Sequence, residues 1–231
     1  MNEPPDLSTG LSPEADLREA LSFLGHNARE GHSTTLALLE LQRIKPDPMA
    51  MPDLIDRVER NARKSLAAID DFMDLARARN QALRIEELDL ADLLVELVAD
   101  AWSLASRHGI RVQIASSVDS APVRADRELL TAAIAKLLRD SAARTPRGVD
   151  IQCALIDAAN EWVIAIGDPG APDTPQAAAD TSPWDSKLPH GERVGPGLAL
   201  AQVVAKRHGG QTKIEPNPGA GRTLRLSLPR P

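Results

Sequence analysis

Three prolines within seven residues, Pro46, Pro48 and Pro52, separate two long heptad seams. Proline locks φ and removes a backbone donor, so no helix runs through such a cluster. Before it, apolar or small residues fall at Leu17, Leu21, Leu24, Ala28, Gly31, Thr35 and Leu38. After it they fall at Ile55, Val58, Ala62, Ser65, Ile69, Phe72 and Ala76. Alternating steps of three and four keep side chains on one helix face. Ser12-Pro13-Glu14-Ala15 is a helix start, with serine at the N-cap and proline at the first helical position. This pattern predicts a flexible lead-in over residues 1–14 and an antiparallel helical hairpin over 15–82. Two helices alone bury little apolar surface. Seams on both predict that two hairpins pair into a four-helix bundle, making the chain a homodimer. The simpler alternative is an arm that packs on the rest of its own chain.

The pattern changes after Asn80. Leu90 to Arg107 reads as a helix, Ile110 to Ile114 as a strand, and Asp126 to Ala143 as a helix ending before Thr145-Pro146. Val149 to Leu155 and Glu161 to Ile166 read as a hairpin. Residues 169–194 are rich in Pro, Asp, Ala and Ser and form a long loop. A helix from Gly195 to His208 and strands at Thr212–Glu215 and Arg222–Leu228 close the chain. Helices mixed with mostly antiparallel strands over 83–231 predict an α+β sandwich.

Apolar residues make up 42% of the 231, enough for a core, while aromatics at 2% leave it to Ala, Leu, Ile and Val. A formal charge of −6 disfavours a general binder of nucleic acid or anionic membrane. Cys153 is the single cysteine, so no disulfide framework or cysteine-based zinc site exists within the chain, which suits the cytoplasm. No apolar run approaches the roughly 20 residues that span a bilayer. Sensing outside the cell would therefore require a separate sensor protein.

Four places could carry chemistry. His26 lies off the heptad seam, within Phe23-Leu24-Gly25-His26-Asn27-Ala28-Arg29. Taken alone, a helical histidine is an ordinary surface residue. Asp168-Pro169-Gly170 ends a strand; a carboxylate there can accept from an exocyclic amine such as that of adenine, and the glycine lets backbone approach a ligand. The same triplet also makes an ordinary turn. Gly195-Pro196-Gly197 opens a helix, where amide donors and the dipole favour phosphate, or where the glycines merely cap. Asp140 offers a hard oxygen ligand for Mg2+, although Lys136 lies one turn before it and could pair with it as an exposed ion pair.

Together these places, in this order, resemble the catalytic region of bacterial sensor histidine kinases, over about residues 16–228. In that family a dimerisation and histidine-phosphotransfer hairpin precedes an ATP-binding domain of the GHKL type (gyrase, Hsp90, kinase). His26 and its neighbours resemble the H box, and Arg84 to Leu90 resembles the linker between the domains. Lys136 to Ser141 occupies the N box and Asp168-Pro169-Gly170 the G1 box. Ser182-Pro183-Trp184 is similar to the F box and Gly195 to Leu200 to the G2 box. The resemblance implies ATP and Mg2+ as cofactors. It makes Asp168, Gly170, Gly195, Gly197, Leu198 and Lys136 the nucleotide contacts and Asp140 the metal ligand. It implies that His26 takes the γ-phosphate and that a response-regulator receiver domain receives it. The loop 171–194 falls where the family has its ATP lid.

Several positions depart from the family pattern. The acid that usually follows the histidine is Asn27, which can orient a ring but cannot take its proton. Glu30, one turn on, is the candidate replacement base, and Gly31 follows where the family has proline. The two N-box asparagines are Lys136 and Asp140. Pro172 replaces the second G1 glycine, and Ala199 replaces a third G2 glycine. Two functions follow: a histidine kinase with altered boxes, or a catalytically weak relative that docks a response regulator as a scaffold. An ATPase without phosphotransfer is disfavoured, because the phosphoacceptor context precedes the ATP domain at family spacing.

Overall fold

The structure is a computed structural model that describes residues 32–46, 51–107, 109–169, 196–217 and 221–231. The chain divides into two compact units, Met1–Phe72 and Met73–Pro231.

In the first unit, residues 32–44 form α1. It closes with Lys45 N donating to Leu41 O at 2.9 Å, next to Pro46, which has no donor to continue the ladder. Helix α2 is Met51–Asn80, with Asp53 in its first turn and Arg77 and Arg79 in its last, matching the helix dipole. The seam expected on α2 splits between two faces. Ser65 and Ala68 are buried, whereas Ile55, Leu66 and Ile69 are exposed. A helix of 3.6 residues per turn drifts against a strict heptad, so one stripe cannot hold every seam residue on a single face. On α1, Thr35 and Leu38 are half-buried as the seam predicts, while Leu36 and Leu39 are exposed.

The second unit is an α/β sandwich. Its elements run β1 (Glu86–Asp89), α3 (Leu90–Arg107), β2 (Arg111–Ser116), β3 (Pro122–Ala125), α4 (Arg127–Arg144), β4 (Asp150–Ala158), β5 (Glu161–Asp168), α5 (Pro196–Arg207), β6 (Gln211–Pro216) and β7 (Arg222–Pro229). Five strands form one sheet in the order β2-β4-β5-β7-β6. The β2–β4 pair is parallel and the others are antiparallel. The expected hairpin is β4–β5, closed at Ala158 opposite Glu161. A separate two-stranded ribbon pairs β1, which lies in the stretch read as a linker from sequence, with β3.

Cross-strand pairing puts Cys153 opposite Ile166, Leu155 opposite Ile164, and Ile164 opposite Leu226. Residues directly opposite share a sheet face, so these chains form one apolar layer, and all are buried. The other face carries Arg111, Gln113 and Asp150, linked by hydrogen bonds of 2.9–3.1 Å. Helix α4 meets the core through Leu130, Ala133, Ile134, Leu137 and Leu138. Fully burying a Leu or Ile side chain is worth about 1.5–3 kcal/mol. Helix α5 presents Gly197, Ala201 and Ala205 at steps of four; Ala201 and Ala205 are fully buried. Gly209 ends α5 at φ 75, and Gly210 N donates back to Ala205 O at 2.8 Å.

The last turns of α2 group with the second unit for identifiable reasons. Arg207 Nη1 donates to Ala78 O at 2.6 Å, and Asp74 pairs with Lys136. Among the described residues no helix is long and apolar enough to cross a membrane.

Candidate functional site

Helix α4 positions the two N-box residues because its core face repeats every three or four residues. Asp126 starts it, accepting from Leu129 N at 3.1 Å as an N-cap. Ile134, Leu137, Leu138 and Ser141 then face inward, and Lys136 and Asp140 lie one turn apart along the same side.

Lys136 is not on an exposed face. Its side chain is 6% exposed, and Nζ lies 3.5 Å from Asp74 Oδ2. A buried ammonium requires a charge partner, and Asp74 supplies one from α2. The exposed ion pair considered from sequence assumed an exposure that this lysine lacks.

Asp140 meets the start of α5. Its Oδ2 accepts from Gly197 N at 2.8 Å. A charged acceptor at a helix N-terminus is favoured both by the free amides and by the dipole. The glycine suits this contact: a Cβ at position 197 would collide with the Asp140 carboxylate as it stands and lie 3.0 Å from the Lys136 carbonyl carbon, so Asp140 or the helix spacing would have to shift. Leu198, expected among the nucleotide contacts, is 2% exposed and belongs to the apolar core.

Strand β5 ends at Asp168, opposite Arg222 at the start of β7. Arg222 is 4% exposed, an unusual burial for arginine. Sequence reading passed over Arg222 and Asp74. Neither lies in a local motif, and each matters through a neighbour brought in by the fold.

The side chain of Asp168 lies outside the described residues, as do His26, Asn27, Glu30, Gly170, Gly195, the F-box stretch 182–184 and the loop 171–194. The structure thus brings together Lys136, Asp140 and Gly197 from the expected site, and adds Asp74. Among the described residues no group of three His, Cys, Asp or Glu could hold a metal ion. Mg2+ commonly binds through one or two carboxylates plus substrate phosphates. Asp140 would be such a carboxylate, and its Oδ2 already accepts from Gly197 N.

No catalogued family profile matches the chain. It is 27% identical to the adaptive-response sensory kinase SasA of a Synechococcus strain, over 93% of this chain and 62% of that protein. It is 27% identical to the sensor-like histidine kinase SenX3 of Mycolicibacterium smegmatis, over 97% of this chain and 60% of that protein. The chain thus spans less than two thirds of the length of these curated relatives. Among solved structures, histidine kinase ThkA in complex with the response regulator TrrA superposes with a TM-score of 0.70. That match covers 94% of this chain and 65% of the other at 16% identity. Over nearly its whole length the chain is thus similar in sequence to part of the bacterial sensor histidine kinases, and it shares the fold of the histidine kinase ThkA.

Proposed function

We propose that the chain is the kinase core of a two-component pathway in the cytoplasm. The second unit binds ATP and the hairpin carries the phosphoacceptor His26. The observation that supports this best is the alignment of 93–97% of this chain with part of two sensor histidine kinases, beside its likeness in fold to ThkA. In the reaction a ring nitrogen of neutral His26 attacks the γ-phosphorus. The bond from that phosphorus to the β,γ-bridging oxygen breaks, and ADP leaves. The ring proton passes to a base, and Glu30 fills that role one helical turn away, with Asn27 orienting the ring. Mg2+, when bound with the nucleotide, neutralises charge on the phosphates. The phosphoryl group then moves from His26 to an aspartate of a response-regulator receiver domain. ThkA, solved with a response regulator, supports that class of partner.

The homodimer belongs to the same proposal. Ile55, Leu66 and Ile69 are exposed on α2, as a face awaiting a second hairpin requires. The single cysteine suits a reducing compartment.

A second reading is favoured by one specific observation. Asp140, at the N-box position, is occupied with Gly197, and Asn27 cannot act as a base. Both suit a catalytically weak relative that docks a response regulator as a scaffold.

Incubation with γ-labelled ATP and Mg2+ separates the two. The kinase reading expects acid-labile label in the parent and none in His26→Ala. Glu30→Gln is expected to lose the label too; full labelling of that variant removes Glu30 as the base. No label despite measurable ATP binding selects the scaffold.

A further inference from the structure

The start of α5 is the place where a phosphate would meet free amides and a favourable dipole. In this structure an anion is already there, and it belongs to the protein. Asp140 Oδ2 takes the Gly197 amide at 2.8 Å, a charge-assisted bond. The contact is built in, since the absence of a Cβ at Gly197 is what lets the α5 backbone come this close to α4. The neighbouring cation is committed as well: Lys136 is buried and pairs with Asp74 at 3.5 Å. A phosphate arriving at this end therefore meets an amide already bonded and an ammonium already balanced.

We propose that Asp140 is an internal phosphate mimic, holding the amide end of α5 until a nucleotide's phosphates displace it. This rests on the reading of the second unit as a nucleotide-binding domain. Its consequence is a selectivity. Each added phosphate gains contacts in an ordinary site of this kind, but here the distal phosphates must first evict a carboxylate of like charge. Affinity in the parent should then rise little, or fall, from AMP to ADP to ATP. Asn at position 140 keeps an oxygen for the Gly197 amide and removes the charge. Asp140→Asn should therefore gain affinity for ATP on the order of tenfold, the scale of a partly buried charge at a helix N-terminus. ADP should gain less, and AMP should be unchanged.

The test is calorimetric titration of the full chain and of Asp140→Asn with AMP, ADP and ATP, each with and without Mg2+. Amide hydrogen exchange at Gly197 is the second measurement. It should be protected in the free parent and slow further when ATP takes over the amide. A gain that grows with phosphate number, with or without metal, supports the proposal. Unchanged ATP affinity overturns it. So does a loss of ATP affinity seen only with Mg2+, which would make Asp140 a metal ligand. Both of those outcomes leave the nucleotide reading intact. Binding of no nucleotide by either protein, AMP included, removes that reading and the proposal with it.

Discussion

The backbone N–H of Asp126 donates to Nε2 of His208 at 2.9 Å, joining residues 82 apart in sequence. The other ring nitrogen of His208 lies 2.7 Å from Val204 O, which can only accept. Nδ1 therefore carries the proton and Nε2 the lone pair, and the ring is neutral. In the fold His208 ties the end of α5 to the start of α4. Asp126 in turn holds Leu129 N and Arg84 N with its carboxylate.

His208→Ala is expected to destabilise the second unit by about 1–3 kcal/mol, the cost of leaving a buried donor without a partner. His208→Phe keeps an aromatic ring but not the acceptor, so it should lose a similar amount. Denaturant unfolding followed by circular dichroism measures both. A Phe variant as stable as the parent would make the contribution of His208 one of packing.

Asp89 gives a pH dependence with a defined sign. Burial pushes its carboxyl up, but hydrogen bonds from Ser120 and from the Ala121, Ala91 and Asp92 amides outweigh this and hold it below 3.8. The carboxylate accepts from Ala91 N at 2.8 Å and Ala121 N at 3.0 Å, so it fastens the start of α3 to β3's approach. A depressed acid contributes stability above its unfolded value and loses it as pH falls through the folded value. The advantage of the parent over Asp89→Ala, about 1 kcal/mol for a cap at neutral pH, should thus shrink steadily below pH 3.8. Unfolding curves of both proteins across that range check it; an advantage that grows with acid would reverse the assignment.

Cys153 is fully buried in β4, and burial pushes its thiol up to about 12. The thiolate is the reactive species, so the folded chain holds almost none at neutral pH. An aromatic disulfide reagent should label Cys153 only as the sheet opens. Labelling should be slow in buffer and fast in denaturant. Rapid labelling of the native chain would mean that β4 is exposed far more often than its place between β2 and β5 allows.

Periodicity made the helices and the main sheet legible. Leu90 to Arg107 coincides with its expected span, and the β4–β5 hairpin overlaps its own, with β4 ending at Ala158 rather than Leu155 and β5 at Asp168 rather than Ile166, because burial on one face leaves a repeat in the sequence. The β1–β3 ribbon left no such trace. Glu86-Glu87-Leu88-Asp89 has almost no apolar alternation, and its partner is Pro122–Ala125, far along the chain. The site was legible by type and position but not by pairing. Lys136 and Asp140 invite each other at one helical turn. The fold also gives Lys136 the carboxylate of Asp74, 62 residues earlier, and Asp140 the amide of Gly197, 57 residues later. Such partners are set by tertiary packing, which no local spacing records.

The exposed stripe on α2 supports a last prediction. Ile55, Ala62, Leu66 and Ile69 follow one another at steps of seven, four and three, and all are exposed. That is a heptad face without a partner among the described residues, while Ser65 and Ala68 occupy the buried face. If two hairpins pair through this stripe, a charge placed within it must be buried unpaired, at a cost of several kcal/mol in each hairpin. Ile69→Asp should run as a monomer at micromolar concentration in size-exclusion chromatography with light scattering, where the parent runs as a dimer. The Cys153 labelling rate of the variant should match the parent, because that residue reports on the sandwich and not on the stripe. A variant that stays dimeric would move the interface off this face; a parent that is monomeric would remove the homodimer.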